Sequence, residues 1–239
     1  MTIVITMAGM GTRFKNAGFQ VPKYMIEVRN KSLFEWSMES LAGFNDDENL
    51  YIFVVRKADQ ASEFIEKACH QMGIDQIKVI EIENMTDGQA TTAMLAAPYW
   101  DADSSLMIYN IDTYVEAGEM NENQLVGDGF IPCFKAMGDH WSFVETDEDG
   151  RAVQVREKQR ISDNCTIGAY FFKTCRLYEE LYNEYYLSDQ NMEKGEKYVA
   201  PLYNHMIGKG QEVRISLVDY EKVHVLGTPE ELKVFADEC

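Results

Sequence analysis

Positive charge is scarce in this 239-residue chain: 22 Lys and Arg face 40 Asp and Glu, for a formal net charge of −18. That balance argues against a nucleic-acid binder, because a phosphate backbone is held by concentrated Lys and Arg. A small anionic ligand remains compatible, since one local positive pocket suffices and a divalent cation can share the work. No CxxC pair occurs. The five cysteines, Cys69, Cys133, Cys165, Cys175 and Cys239, are odd in number and far apart, so neither a disulfide framework nor a structural zinc site is expected, and the compartment reads as reducing. No basic stretch precedes a long apolar segment at the N-terminus and no apolar run approaches ~18 residues, so neither a signal peptide nor a membrane span is expected. Localisation is expected to be cytoplasmic, with no membrane partner. Repeats and low-complexity tracts are also missing, which leaves no candidate linker.

What is present is a large apolar fraction, 46%, with aromatic residues spread along the whole length, as in a compact soluble globule. The first two-thirds alternate short β-branched runs with helical spacing. "TIVIT", "YIFVVR" (51–56), "IKVIEI" (77–82), "SLMIYNI" (105–111) and "GFIPCF" (129–134) read as strands, several of them apolar on both faces. Residues 32–44, 58–73 and 88–100 read as helices, with Gly73 stopping the second and Pro98 ending the third. Strand, helix, strand in repetition implies parallel strands covered by helices. Further on, "HWSFVETDEDGRAVQVREK" reads as a hairpin turning at "DEDG". "TIGAYFFK" reads as a strand, "RLYEELYNEYY" and "APLYNHMIGKG" as helices, and "EVRISLVD" and "KVHVLG" as strands. A last helix is expected over 229–239, where Pro229 suits the first turn. The expected fold class is therefore α/β: a Rossmann-like mixed, mainly parallel sheet flanked by helices, with a small β-hairpin subregion. A single domain, 1–239, is expected.

The chemistry concentrates at the end of the first strand, in "MAGMGTRF" (7–14), followed by "QVPKYMIEV". An apolar strand running into a Gly-rich loop is where doubly wound proteins bind phosphates. Gly9 and Gly11 let the backbone approach a ligand and present N–H groups to it. Arg13 offers a planar donor fork, and Pro22 stiffens the approach to Lys23, a compact cation suited to one phosphate. The stretch is neither a dinucleotide fingerprint, since the third glycine is missing, nor a P-loop, since GK[ST] is absent.

Together these segments resemble the nucleotidyltransferases that make nucleoside-diphosphate sugars and related activated compounds, whose pattern is roughly L/M-A-G-x-G-T/S-R-x(n)-P-K. The matches run in family order over nearly the whole chain. "TDGQATTAML" (86–95) resembles the D-G-x-A segment, "IYNIDTYV" (108–115) the strand ending in a metal-binding aspartate, and "VREK" (155–158) the acceptor-side E-K pair. "NCTIGAYFF" (164–172) resembles the acceptor strand and "VLGTPEEL" (225–232) the late helix entry. The resemblance implies a nucleotide-diphospho-sugar transferase type of fold, with residues 1–135 mainly nucleotide-binding and 136–239 mainly acceptor-binding and completing the sheet. It implies that Ala8, Gly9, Gly11, Thr12, Arg13 and Gly88 contact the nucleotide, and that Arg13, Lys23 and Asp112 are catalytic, with Asp112 holding Mg²⁺. Glu157, Lys158, Asn164 and Gly168 fall on the acceptor side, where Tyr198, with Asn204, is also expected to wall the pocket.

The implied reaction is attack of a phosphate monoester on the α-phosphorus of an NTP, with CTP, UTP or dTTP favoured, releasing pyrophosphate; positioning and charge neutralisation then dominate catalysis. The acceptor is expected to be a phosphorylated sugar, as in capsule or surface-polysaccharide precursor synthesis, or a non-sugar phosphate such as phosphocholine. No further C-terminal module is expected after "PEEL", and a homo-oligomer is left open. One departure stands out: Val225 occupies the position of a second metal aspartate, so Asp112 acts with substrate phosphates, or a neighbour such as Asp219 or His224 substitutes. His70, His140 and His205 read as structural. A glycosyltransferase, which would favour a D-x-D pair over "NIDTY", and a non-catalytic nucleotide-binding relative are the readings from other classes.

Overall fold

The computed structural model describes residues 1–237, so the last two residues of the helix expected over 229–239 lie outside the described part. The four strongest apolar runs form β1 (Thr2–Thr6), β4 (Leu50–Arg56), β5 (Ile77–Ile82) and β6 (Leu106–Asn110) in order β6-β1-β4-β5, all parallel; β2 (Glu27–Val28) and β3 (Lys31–Ser32) make a separate two-stranded ribbon. β1, β4 and β6 are almost wholly buried, which is why their sequences are apolar on both faces. The connections carry α1 (Thr12–Asn16), α2 (Leu33–Glu39), α3 (Ser62–Gln71) and α4 (Gln89–Met94). The α2 start is a capping box in which Ser32 and Glu35 satisfy each other's backbone N–H groups. Each of the three predicted helices is shorter than its spacing suggested, because tight turns take over before Phe44, Gly73 and Trp100.

The chain passes from β1 outward to β4 and β5, then returns to place β6 on the other side of β1. That reversal makes a switch point between the carboxyl ends of β1 and β6. Beyond β6 neighbouring strands pair antiparallel, with one parallel exception. β8 (Gly129–Lys135) faces a segment split at Gly168 into β11 (Asn164–Thr166) and β12 (Ala169–Phe172): β12 continues to β6, whereas β11 joins the hairpin of β9 (Ser142–Thr146) and β10 (Ala152–Glu157). β13 (Val213–Val218) runs parallel to β8 on its other side. The mixed α/β sheet and its hairpin are as expected, with parallel pairing concentrated in the β6-β1-β4-β5 half.

Helices α5 (Cys175–Tyr185) and α6 (Leu202–Gly208) cover one face, and a short ribbon of β7 (Thr113–Val115) with β14 (Val223–Val225) leads into α7 (Pro229–Asp237). Much of the tyrosine abundance is core: Tyr178 and Tyr203 are fully buried, their hydroxyls donating to the carbonyls of Ala90 and Phe171 at 2.8 and 2.7 Å. The four described cysteines are buried and unpaired. Among the described residues no helix is long and apolar enough to cross a membrane.

Candidate active site

The switch point opens into a cleft of about 790 Å³, within the size of ordinary small-molecule sites. One wall is the loop after β1. Met7 is fixed by its N–H to the Val54 carbonyl at 2.9 Å. At Gly9 a Cβ would meet nothing within 4 Å, so the backbone there is open to the cleft, whereas Gly11 takes a left-handed φ of +61° that lets the chain turn into α1. Ala8, Gly9, Gly11, Thr12 and Arg13 all line the cleft, and the Arg13 guanidinium is exposed and has no ion pair among the described residues. Lys23 follows Pro22 on a single helical turn, Lys23–Met25, and its Nζ sits 3.4 Å from Asp112 Oδ2, with 18% of the lysine side chain and 40% of the aspartate exposed. Beside them Arg56 and the Tyr24 hydroxyl both donate to Asp59, a polar wall that no motif in the sequence marked.

Gly88 forms the opposite wall with φ +144°, and a Cβ there would lie 2.4 Å from the Lys197 carbonyl oxygen. The crossing is stitched by Lys197 N–H to the Asp87 carbonyl at 2.8 Å and by Ala90 N–H to the Lys197 carbonyl at 2.9 Å. The Lys197 ammonium adds an ion pair to Asp87 at 2.7 Å. Burial opposes ionisation of Asp87, but the bonds from Lys197 and Thr91 outweigh it and hold the carboxyl below its usual range. The glycine is thus required by chain-to-chain contact as well as by any ligand. Gly88→Ala is expected to destabilise the protein by about 3 kcal/mol, read as a lowered denaturant midpoint, because both the left-handed φ and the backbone clash oppose it.

On the hairpin side, Glu157 accepts from the Ser142 hydroxyl, and Lys158 stands 3.2 Å from Glu157 Oε1. The Lys158 ammonium donates to the Tyr198 hydroxyl at 2.9 Å and lies 4.6 Å from that ring's centroid. Burial disfavours its charge, yet Tyr198 and Glu157 more than compensate and raise its pKa above the usual lysine value. Glu157, Gly168 and Tyr198 line the cleft; Lys158 reaches it through those partners. Gly168, at the fork between β11 and β12, has φ +91° and would press a Cβ to within 2.8 Å of the Asn110 amide. Asn164 is not among the cleft-lining residues; its amide donates to the Val144 carbonyl at 3.0 Å. Asn204 likewise bonds both backbone groups of Val155, tying α6 to β10. Spacing in the sequence gave no sign of Gln89, which donates to Asn110, or of Trp141 and Glu196, which also line the cleft. His140, expected to be structural, lines the cleft beside Trp141, with ring centroids 4.3 Å apart.

Val225 lines the cleft opposite Thr113, one residue beyond Asp112, and the Leu226 N–H donates to the Asp112 carbonyl at 2.8 Å. Neither proposed substitute for a carboxylate at that position reaches the cleft. His224 alternates to the other face of the ribbon, stacked on Tyr114 at 5.3 Å and 3.8 Å from Glu116, and Asp219 begins the turn over 220–222.

No family model matches the chain. The nucleoside-diphosphate-sugar pyrophosphorylase from Vibrio cholerae RC9 has 34% sequence identity to it and a TM-score of 0.91, with 100% of both chains covered. The inositol-1-phosphate CTP transferase from T. maritima has the same fold at 16% identity, with a TM-score of 0.78 over 98% of this chain and 93% of its own. The glucose-1-phosphate thymidylyltransferase of Streptomyces antibioticus is 23% identical over 228 residues, covering 92% of this chain and 61% of its own length. The bifunctional protein GlmU of Aquifex aeolicus is 23% identical over 248 residues, covering 95% and 50%. The chain thus spans about half to three-fifths of these two curated relatives. The fold is that of the sugar-nucleotide-type nucleotidyltransferases. On the Vibrio cholerae likeness, the chain belongs to the nucleoside-diphosphate-sugar pyrophosphorylase family.

Proposed function

We propose that the protein transfers a nucleoside monophosphate from an NTP to a phosphorylated sugar or other small phosphate monoester. An acceptor phosphate oxygen bonds to the α-phosphorus as the bond to the α–β bridging oxygen breaks, and pyrophosphate leaves. The observation that carries this reading is the convergence of three groups on one strand-end cleft: the Gly9–Gly11 loop, the Lys23–Asp112 pair at 3.4 Å, and the Glu157–Lys158–Tyr198 cluster. In this reading the loop N–H groups and Arg13 hold the triphosphate, Lys23 offsets charge at the α-phosphate, and Gly88 borders the base. Lys158 orients the acceptor phosphate, with Glu157 and Tyr198 facing the rest of the acceptor. No protein nucleophile is needed.

The family's divalent cation fits the donor set. Among the described residues no three His, Cys, Asp or Glu side chains gather into a metal site, but Mg²⁺ is commonly held by one or two carboxylates with waters and substrate phosphates. Asp112, a hard oxygen donor on the cleft wall, suits that mode. When bound, the ion supplies charge neutralisation on the phosphates. A phosphocholine-type acceptor is a second reading, favoured by Trp141 and Tyr198 with Glu157 and Glu196 on the acceptor side, an aromatic and acidic lining suited to a quaternary ammonium.

The test is magnesium-dependent pyrophosphate release, with CTP, UTP, dTTP, ATP and GTP each crossed against sugar 1-phosphates, phosphocholine and other small monoesters. Release requiring one NTP and one acceptor supports the transferase and names its substrates; NTP binding without release across the panel counts against it. A smaller effect is expected on the acceptor side. Tyr198→Phe removes the hydroxyl that receives the Lys158 bond but keeps the ring under the ammonium, and should raise acceptor KM about tenfold with NTP KM unchanged, close to the loss of one charge-assisted hydrogen bond. An unchanged acceptor KM would remove Tyr198 from the acceptor wall.

A further inference from the structure

Glu231 is the second glutamate of "PEEL" and the third residue of α7, three places after Thr228. A Thr-x-x-Glu start predicts a capping box, in which the glutamate folds back onto the threonine N–H. α2 makes that full box with Ser32 and Glu35. α7 makes only half: the Glu231 N–H donates to Thr228 Oγ1 at 3.1 Å, while the Glu231 carboxylate makes no return bond to the Thr228 N–H. Its Oε2 is buried and has no hydrogen-bond partner among the described residues.

The side chain lines the cleft instead, and Gly227 fixes where. The point a Cβ would occupy at Gly227 lies 3.3 Å from Glu231 Oε2 and 3.9 Å from Asp112 Oδ2, so both carboxylate oxygens border one gap that only glycine leaves open. A buried carboxylate oxygen with no donor is costly unless a cation or a hydrogen bond answers it. The Lys23 ammonium pairs with Asp112. Val225 contributes nothing, and Asp219 and His224 face elsewhere.

We infer that Glu231 is the second protein carboxylate of the divalent-cation site, reaching across the open face of Gly227 toward Asp112 and making up for Val225. The inference rests on the nucleotidyltransferase reading of the cleft and adds to it a ligand from the helix that follows the late glycine. A glutamate on the first turn of α7 is longer than an aspartate on β14 and reaches the same side of the cleft from one turn farther along the chain. Gly227 is then a cradle for the ion as well as a hinge into the helix.

The test is Mn²⁺ titration of the full chain without nucleotide, followed by loss of the free-ion EPR signal. Glu231→Gln and Asp112→Asn should each weaken Mn²⁺ binding about tenfold or more, as even outer-shell losses do at metal sites. Glu230→Gln, on the exposed neighbour, should leave binding unchanged. Gly227→Ala keeps both carboxylates but fills the gap; it should also weaken Mn²⁺ and decides the question if Glu231→Gln proves unfolded by circular dichroism. Wild-type affinity in folded Glu231→Gln, with affinity lost in Asp112→Asn, overturns the inference and leaves the transferase reading standing. No Mn²⁺ uptake by the wild-type chain overturns the inference, while pyrophosphate release judges the transferase reading separately.

Discussion

Asp112→Asn is expected to lower metal-dependent pyrophosphate release about 10³-fold, roughly 4 kcal/mol of transition-state stabilisation, while the protein keeps its fold. Asparagine has the same shape but no charge. The backbone of residue 112 would be undisturbed, because its structural bond comes through the main-chain carbonyl, which accepts from Leu226 at 2.8 Å. What is lost is the charged Oδ2 that faces Lys23 at 3.4 Å and borders Gly227. A two-polyanion reaction depends on that charge balance, since an anionic acceptor must approach an anionic triphosphate. Thermal unfolding should move by less than about 1 kcal/mol, as expected of a half-exposed ion pair. Full turnover in the variant would remove Asp112 from the metal role, whereas a large drop in melting temperature would make the effect structural.

The strands were the most legible part of the chain. β1, β4, β6 and β8 are runs of β-branched and aromatic residues buried on both sides, so their composition alone separates them from amphipathic helices. Helix ends were harder, because Leu41 to Phe44 and Ala97 to Tyr99 keep apolar spacing while the backbone tightens into turns. The loop after β1 was readable because Gly11 takes a left-handed φ that favours glycine, while Gly9 leaves the backbone open beside the cleft. The reason for Gly88 was only half readable, since the Lys197 backbone that presses on it is far away in sequence. Arg56, Asp59, Gln89, Trp141 and Glu196 carry no local pattern at all and join the cleft only through the topology. Glu231 did have a signal, the Thr-x-x-Glu start, but that signal speaks of a helix cap, and only the missing return bond turns the carboxylate toward the cleft.

The fork at Gly168 shows how one sheet would serve the two ligands of the proposed reaction. β12 pairs with β6 and so holds Asn110 and the strand leading to Asp112, while β11, continuous with it in sequence, carries the hairpin that presents Glu157 and Lys158. Asn110 donates its N–H to the Gly168 carbonyl at 3.0 Å and receives Gln89, so in the proposed reaction the phosphate side and the acceptor side would meet at one hydrogen-bonded joint. A rigid joint of this kind favours in-line positioning of two bound phosphates over capture of either alone.

Lys23→Ala is expected to reduce kcat about 10²- to 10³-fold with a much smaller change in NTP KM, the signature of a contact that strengthens as charge develops. The structure supports a positioned cation: Pro22 with φ −52° precedes a single helical turn, the Met25 and Ile26 N–H groups close that turn onto the Pro22 and Lys23 carbonyls, and Tyr24 anchors it to Asp59. Only 18% of the side chain is exposed, so little water competes for the ammonium. The same contact makes the prediction two-sided. In the ligand-free protein Lys23 neutralises Asp112, and a divalent cation must share that carboxylate with it, so Lys23→Ala should bind Mn²⁺ at least as tightly as the wild type while turning over far more slowly. Lys23→Arg should recover little, because a planar fork cannot replace a compact charge in a space bounded by Gly11 and Asp112. Slow turnover with tighter metal would assign the lysine to the transferring phosphate. Slow turnover with weaker metal would instead mean that Lys23 organises the Asp112 side of the cleft, and an equal loss in kcat/KM carried by KM alone would make it a ground-state binding residue.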